Sequence, residues 1–158
     1  MATTEFSLTS GLNTIQIKVI AKDTELLPTY GSLEAAGADL RAFLTHDLVI
    51  PAGGSALVPT GLIVEIPPGY EMQIRPRSGL ALKNQVTVLN SPGTIDSDYR
   101  GEIGVILVNF SNQNFVVTPY MRIAQCVIAP FIRAEFMNTT TLTSTERGAG
   151  GFGSSGTH

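Results

Sequence analysis

The 158-residue chain contains no tryptophan, one cysteine, two histidines and three lysines, and none of its apolar runs reaches the length of a bilayer span. Each shortage removes a class of function. A single cysteine, Cys126, excludes an internal disulfide, and within Ile123-Ala124-Gln125-Cys126-Val127-Ile128 it reads as a small buried hydrophobe rather than a nucleophile. His46 and His158 lie far apart and neither pairs with Cys126, so the sequence shows no zinc site and no Cys-His dyad. His46, beside Asp47, reads as part of a surface turn. Three lysines and a net charge of −3 leave no broad basic face for nucleic acid, and no Gly-Lys-Ser/Thr phosphate loop is present. Residues Met1 to Gly11 carry no positive charge and no apolar core of a leader, so an intracellular, soluble protein is expected, cytoplasmic or, in a eukaryote, nuclear. The sequons at Asn109 and Asn138 are then expected to be unused.

What the chain has is a series of short apolar runs. Ile15, Ile17 and Val19 alternate with Gln16 and Lys18 as in a half-buried strand. Further runs occupy Ala38–Leu44, Leu48–Ile50, Ala56–Val58, Leu62–Ile66, Tyr70–Ile74, Val86–Leu89, Ile103–Val108, Phe115–Val117 and Ile123–Phe131. Turn segments such as Pro51-Ala52-Gly53-Gly54, Pro59-Thr60-Gly61 and Pro67-Pro68-Gly69 separate them. This spacing predicts one all-β domain, a sandwich, jelly roll or small barrel. Ile103–Val108 is apolar on both faces, so it is either a central strand or an interface strand. Only Ser78–Asn84 reads as helical, with Ser78 as the expected N-cap. Residues 138–158 are mostly Thr, Ser and Gly with little to bury, which predicts a flexible C-terminal arm. The expected organisation is therefore an extension over 1–12, a β-barrel domain over 13–137 and an arm over 138–158.

The chemistry concentrates on Asn90-Ser91-Pro92-Gly93-Thr94-Ile95-Asp96-Ser97-Asp98-Tyr99-Arg100-Gly101-Glu102, between two apolar runs. A carboxylate held on a bend framed by strands can act as a general base or hold a metal-bound water, although most Asp residues in turns simply cap them. Six of the seven arginines, at 41, 75, 77, 100, 122 and 147, sit in or beside short Gly-, Ser- or Asp-containing segments. Clustered guanidiniums in an acidic protein point to a small polyanion. Arg77-Ser78-Gly79 at the start of the single helix offers amides and a hydroxyl to an anion, the alternative being an ordinary cap with solvent-facing arginines. The tail Arg147-Gly148-Ala149-Gly150-Gly151-Phe152-Gly153 combines a guanidinium, close-approach glycines and a ring on which a base can stack.

Five segments in order resemble the motifs of the trimeric dUTP diphosphatases (dUTPases). They are Ala36-Gly37-Ala38-Asp39-Leu40-Arg41-Ala42, Arg75-Pro76-Arg77-Ser78-Gly79-Leu80, Gly93-Thr94-Ile95-Asp96-Ser97-Asp98-Tyr99-Arg100-Gly101, Arg122-Ile123-Ala124-Gln125 and the Arg147–Gly153 tail. The resemblance covers nearly everything from Ile15 onward, with one departure: Tyr120 stands where the family usually has glycine two residues before the fourth-motif arginine. It implies a jelly-roll-like β-barrel or sandwich, a homotrimer with shared sites, and Mg²⁺-dependent hydrolysis of dUTP to dUMP and diphosphate, which keeps uracil out of DNA and supplies dUMP for thymidylate synthesis. By the same resemblance Asp96 would deprotonate the water that attacks the α-phosphorus. Arg77, Ser78, Gly79 and Gln125 would hold phosphates, and Tyr99 would pack on the deoxyribose. Asn90 and the backbone of Gly93, Thr94, Ile95 and Asp96, with Gly104 across the hairpin, would read uracil. Arg147 would reach the γ-phosphate, while Phe152, followed by Gly153, would cover the base. Asp39 would act through water on a magnesium ion held mainly by the triphosphate. The related dCTP deaminases and a non-catalytic binding protein are the rival expectations.

Overall fold

Each strand forms where an apolar run meets a partner able to supply backbone hydrogen bonds, and the turns follow the Gly- and Pro-containing segments. The computed structural model describes residues 14–152. In chain order the strands are β1 (Lys18–Ala21), β2 (Thr29–Tyr30), β3 (Ala38–Arg41), β4 (Leu48–Ile50), β5 (Ser55–Pro59) and β6 (Leu62–Glu65). Then come β7 (Tyr70–Arg75), helix α1 (Ser78–Asn84), β8 (Val86–Val88), β9 (Gly93–Ile95), β10 (Gly104–Asn109), β11 (Phe115–Val117) and β12 (Arg122–Pro130). A 3-10 turn spans Thr24–Leu26. No helix among the described residues is long and apolar enough to cross a membrane.

All strand pairs are antiparallel. The largest sheet has the order β2-β3-β12-β7-β9, a second has the order β5-β10-β8, and β1-β6 and β11-β4 form two-stranded ribbons. Leu40, Ile74, Val105, Leu107 and Ile123, from different sheets, join one buried cluster that also takes in Cys126. β10 lies between β5 and β8, so the doubly apolar run is a central strand. Gly61, at φ +69, turns the chain from β5 into β6, and a Cβ there would lie 2.8 Å from Leu26 Cδ1.

Among the described residues two polar side chains are buried, and both are satisfied. Thr60 Oγ1 donates to the Ile103 carbonyl at 2.6 Å. Asn109 Nδ2 donates to the carbonyls of Ile50, Pro51 and Gln113, while its Oδ1 accepts from Ser111 N and Oγ. Asn109 therefore pins the turn after β10 to the end of β4, and its amide is fully enclosed.

The first strand departs from expectation. It begins at Lys18 rather than Ile15, because Lys18 already pairs with Glu65 and the antiparallel register would bring Gln16 and Ile15 opposite Pro67 and Pro68. Two prolines donate no N–H, so the ribbon stops there. Two short strands, β2 and β9, lie outside the apolar runs read from the sequence. β9 is the more consequential, since Gly93-Thr94-Ile95 pairs with Ile74-Gln73-Met72.

Burial lifts the Cys126 thiol from an ordinary value of 9.0 to about 11. The folded chain then holds this proton over a pH range in which the unfolded chain has lost it, so stability is intact below pH 9 and declines toward pH 11. Chemical denaturation across that window should show the parent losing up to about 1.4 kcal/mol per pH unit more than a Cys126→Ala variant. Parallel pH profiles for the two proteins would contradict this account.

Candidate functional site

β8 and β10 lie side by side, and the chain between them leaves one sheet to reach the other. Leu107 pairs with Val88 and Asn109 with Val86, while β9, inside the excursion, joins the edge of β7. The segment 90–102 is thus anchored at both ends and in its middle. Its tip is locked locally: the Tyr99 amide donates to the Asp96 carbonyl at 3.1 Å, and Arg100 Nη1 donates to the carbonyls of Ser97 and Tyr99. The Tyr99 hydroxyl donates to the Glu102 carbonyl, and a Cβ on Gly101 would collide with that hydroxyl. Glu102 Oε1 accepts the Gly61 amide at 2.9 Å, tying the far side of the hairpin to the β5–β6 turn.

This arrangement opens a cleft of about 340 Å³ lined by Leu57, Thr94, Ile95, Asp96, Tyr99, Glu102, Gly104 and Ile106. Its apolar wall is the cross-strand pair Leu57–Ile106, and Gly104 keeps the floor open, since a Cβ there would lie 2.6 Å from Leu57 Cδ1. Asn90 sits beside Gly93, with Nδ2 3.3 Å from where a Cβ would be. Asp96 is exposed and takes no part in the three ion pairs among the described residues. A carboxylate in that state can accept a proton from water.

The second cluster lies in the same sheet. Asp39 on β3 stands opposite Gln125 on β12, which stands opposite Arg75 on β7. Arg77 Nε donates to Asp39 Oδ1 at 2.9 Å and Arg122 Nη1 to Oδ2 at 3.1 Å. Arg77 Nη1 also reaches the Arg122 carbonyl, at 3.3 Å. Gln125 Nε2 donates to the Pro76 carbonyl, and Gly37 makes room for it, since a Cβ at Gly37 would collide with Gln125 Oε1. The side chain of Asp39 is 18 % exposed, that of Arg77 26 % and that of Arg122 50 %, so the guanidiniums keep donors facing solvent. Such a group favours anions.

Ser78 and Gly79 are exposed beside this cluster, but Ser78 is not the N-cap. Arg77 holds that position in extended backbone, its carbonyl accepting the Ala81 amide, and no side chain caps the helix. The Arg77 side chain is directed to Asp39 instead, which leaves the Ser78 hydroxyl at the start of the helix without a capping duty.

Within one chain the two clusters stay apart. On β7, Ile95 pairs with Met72 whereas Gln125 pairs with Arg75, three residues or about 10 Å farther along, and β9 and β12 flank opposite edges of β7. Asp96 continues away from Arg75. The described part of the tail, through Phe152, joins neither cluster: Arg147 Nε donates to the Gly150 carbonyl, and Phe152 is fully exposed. Gly153, expected at the site, lies outside the described residues, as do residues 1–12.

Three contributors were not singled out from the sequence. Arg122 belonged to a recognised segment but had no role assigned, and its reach to Asp39 spans 83 residues. Leu57 and Ile106 line the cleft through cross-strand pairing, and the outward place of Leu57 in an alternating strand was the available signal. His46, by contrast, is an exposed turn residue bonded to Thr45, and no group of three His, Cys, Asp or Glu side chains among the described residues is placed to hold a metal.

The dUTPase family model matches residues 23–156. The deoxyuridine 5'-triphosphate nucleotidohydrolase of Chlamydia pneumoniae is 57% identical over 131 residues, covering 82% of this chain and 90% of its own length. That of Nautilia profundicola is 54% identical over 142 residues, covering 90% and 98%. Among solved structures, a dUTPase from Streptococcus mutans superposes with a TM-score of 0.69 at 30% identity, covering 76% of this chain and 98% of its own. The dUTPase of Staphylococcus bacteriophage 80alpha with dUPNHPP does so with a TM-score of 0.76 at 25% identity, covering 90% and 99%.

Proposed function

The chain belongs to the dUTPase family, and we propose that it hydrolyses dUTP to dUMP and diphosphate with Asp96 as the base. The observation that carries this reading is the unpaired Asp96 carboxylate in a cleft on a hairpin anchored to both sheets. A water held there loses its proton to Asp96 and attacks the α-phosphorus, and diphosphate leaves. Such a reaction depends on positioning and charge neutralisation more than on covalent chemistry.

The cleft between Tyr99, Gly104 and the Leu57–Ile106 wall takes the deoxyuridine, with Asn90 and the β9 backbone from Gly93 to Asp96 reading the uracil edge. Mismatched buried hydrogen-bonding groups reject cytosine, and shape refuses thymine. Arg77, Ser78, Gly79 and Gln125 hold the phosphates, and Arg122 joins them through Asp39. Magnesium fits as an ion carried by the triphosphate, neutralising charge there. Both Asp39 oxygens are already engaged by guanidiniums, which suits contact through water better than direct ligation.

Because Asp96 and the arginine cluster diverge along β7, the working site combines the hairpin of one chain with the arginines of another in a homotrimer. Exposed Ile132, at 97 %, and Phe136, at 95 %, supply apolar surface for such contacts. On this reading 13–137 is the catalytic barrel, 1–12 precede it, and 138–158 form the arm whose Arg147, Phe152 and Gly153 close a site. A cytoplasmic location accords with the single buried cysteine.

Three measurements test the reading. With Mg²⁺ and a panel of nucleoside triphosphates, diphosphate release is expected from dUTP and only poorly from dCTP, dTTP and UTP. Ammonia from dCTP would assign the deaminase reaction instead, and binding without turnover a non-catalytic protein.

Asp96→Asn keeps the shape and removes the base, so dUTP binding persists while turnover falls by about two to four orders of magnitude. Near-normal turnover would transfer the role to another carboxylate.

The sharing of sites is testable by mixing. Chains carrying Asp96→Asn and chains truncated after Glu146 are each nearly inactive alone. Co-refolded in equal amounts, they recover about a quarter of parental activity if hairpin and arm come from different chains, since closed symmetry makes all sites equivalent. No recovery in mixed trimers verified by mass would mean that each arm closes over its own hairpin.

A further inference from the structure

Tyr120 occupies a backbone conformation that suits glycine. Its φ is +61, in the left-handed region, where an L side chain crowds the adjoining carbonyl. The turn is nevertheless closed around it: the Tyr120 amide donates to the Ala42 carbonyl at 2.8 Å, and the Ala42 amide donates to the Met121 carbonyl at 2.9 Å. Arg41 Nη1 donates to the Tyr120 carbonyl. Holding the ring in place is a hydrogen bond from the Tyr120 hydroxyl to Asp23 Oδ2, 2.7 Å long and spanning 97 residues. The other oxygen of Asp23 accepts the Glu25 amide at the start of the 3-10 turn, so the acceptor is itself fixed.

Downstream of Tyr120 the chain enters β12 through an irregularity. The pairing with β3 shifts register between Arg122 and Ala124. Arg122, two residues beyond the tyrosine, places its guanidinium on Asp39 and its carbonyl on Arg77. The geometry of the phosphate-facing arginines therefore depends on where this turn delivers the start of β12.

We propose that the Tyr120–Asp23 hydrogen bond is a clamp that holds a non-glycine residue in the left-handed turn and so positions Arg122, and through it Arg77, for the polyphosphate. The proposal rests on the reading of that cluster as the phosphate subsite. Tyr120 is a positioning residue and touches no substrate. The tyrosine phenol is held above its ordinary pKa by the bond to Asp23, and Asp23 below its own, first by the Glu25 amide and then by Tyr120, so the clamp stays formed at neutral pH.

Two substitutions separate the clamp from simple packing. Tyr120→Phe keeps the ring on the core but removes the hydroxyl, leaving an unclamped L residue in the left-handed turn. Tyr120→Gly removes ring and clamp together, but glycine adopts the turn unaided. The clamp predicts that Tyr120→Phe loses about tenfold in kcat/KM for dUTP, mostly through KM, whereas Tyr120→Gly stays within about threefold of the parent. Inorganic pyrophosphate binding, measured by calorimetry, follows the same order and tests the clamp even where turnover is absent. Parent-like kinetics and pyrophosphate affinity in Tyr120→Phe overturn the proposal. So does a glycine variant as impaired as the phenylalanine variant or worse, which is the outcome if Tyr120 contributes only buried surface. A parent protein that binds pyrophosphate in this order yet releases none from dUTP would instead sink the reading of the reaction.

Discussion

The backbone of β7 is hydrogen-bonded on both edges, to β12 over Tyr70–Arg75 and to β9 over Met72–Ile74, and this double pairing fixes the strand that leads into Asp96 relative to Gln125 and the arginines beside it. An antiparallel ladder admits no small adjustments: a slip of one residue would turn each side chain to the opposite face. With Ile74 paired at once to Cys126 and Gly93, the Asp96 hairpin and the arginine strand are held in one register by one central strand. The buried side chains of Met72 and Ile74 oppose any slip, since it would bring them to solvent.

On that frame the charges are arranged economically. An acidic protein recruits a polyanion by concentrating a few guanidiniums, and repulsion between Arg77 and Arg122 is relieved by the single carboxylate between them. Asp39 engages only some of their N–H groups, so the pair is oriented while most of its donors stay unengaged. Asp96, at the other end of the ladder, is kept out of this network and retains a carboxylate free to take a proton.

Distance along β7 also explains the economy of the fold. A chain of this size has room for one core, and its two polar clusters are carried by strands on opposite edges of β7, displaced from one another along it. The proposed trimer would bring the hairpin of one chain to the arginines of another without a second domain. The exposed coil after β12, with Arg147 and Phe152 contacting neither cluster of their own chain, is in keeping with an element used by a neighbour.

The sequence by itself determined what is local. The short apolar runs became β4 and β11 with the expected ends, Ser78–Asn84 became α1 although Arg77 rather than Ser78 caps it, the doubly apolar run became the central β10, and Cys126 and His46 fell in the core and at a surface turn. Asp96, Tyr99 and Gly104 were legible as one site because the hairpin that carries them is continuous in the chain. Tertiary structure decided what needs a distant partner. β1 begins only at Lys18 because β6 runs into two prolines, β9 exists only because β7 offers it an edge, and Arg77 abandons the helix for Asp39, 38 residues away. The left-handed Tyr120 bonds to Asp23, a partner that no nearby residue announces. Propensity and periodicity act over a few residues, whereas hydrogen-bond and charge partners are assigned by the register of strands far apart in sequence.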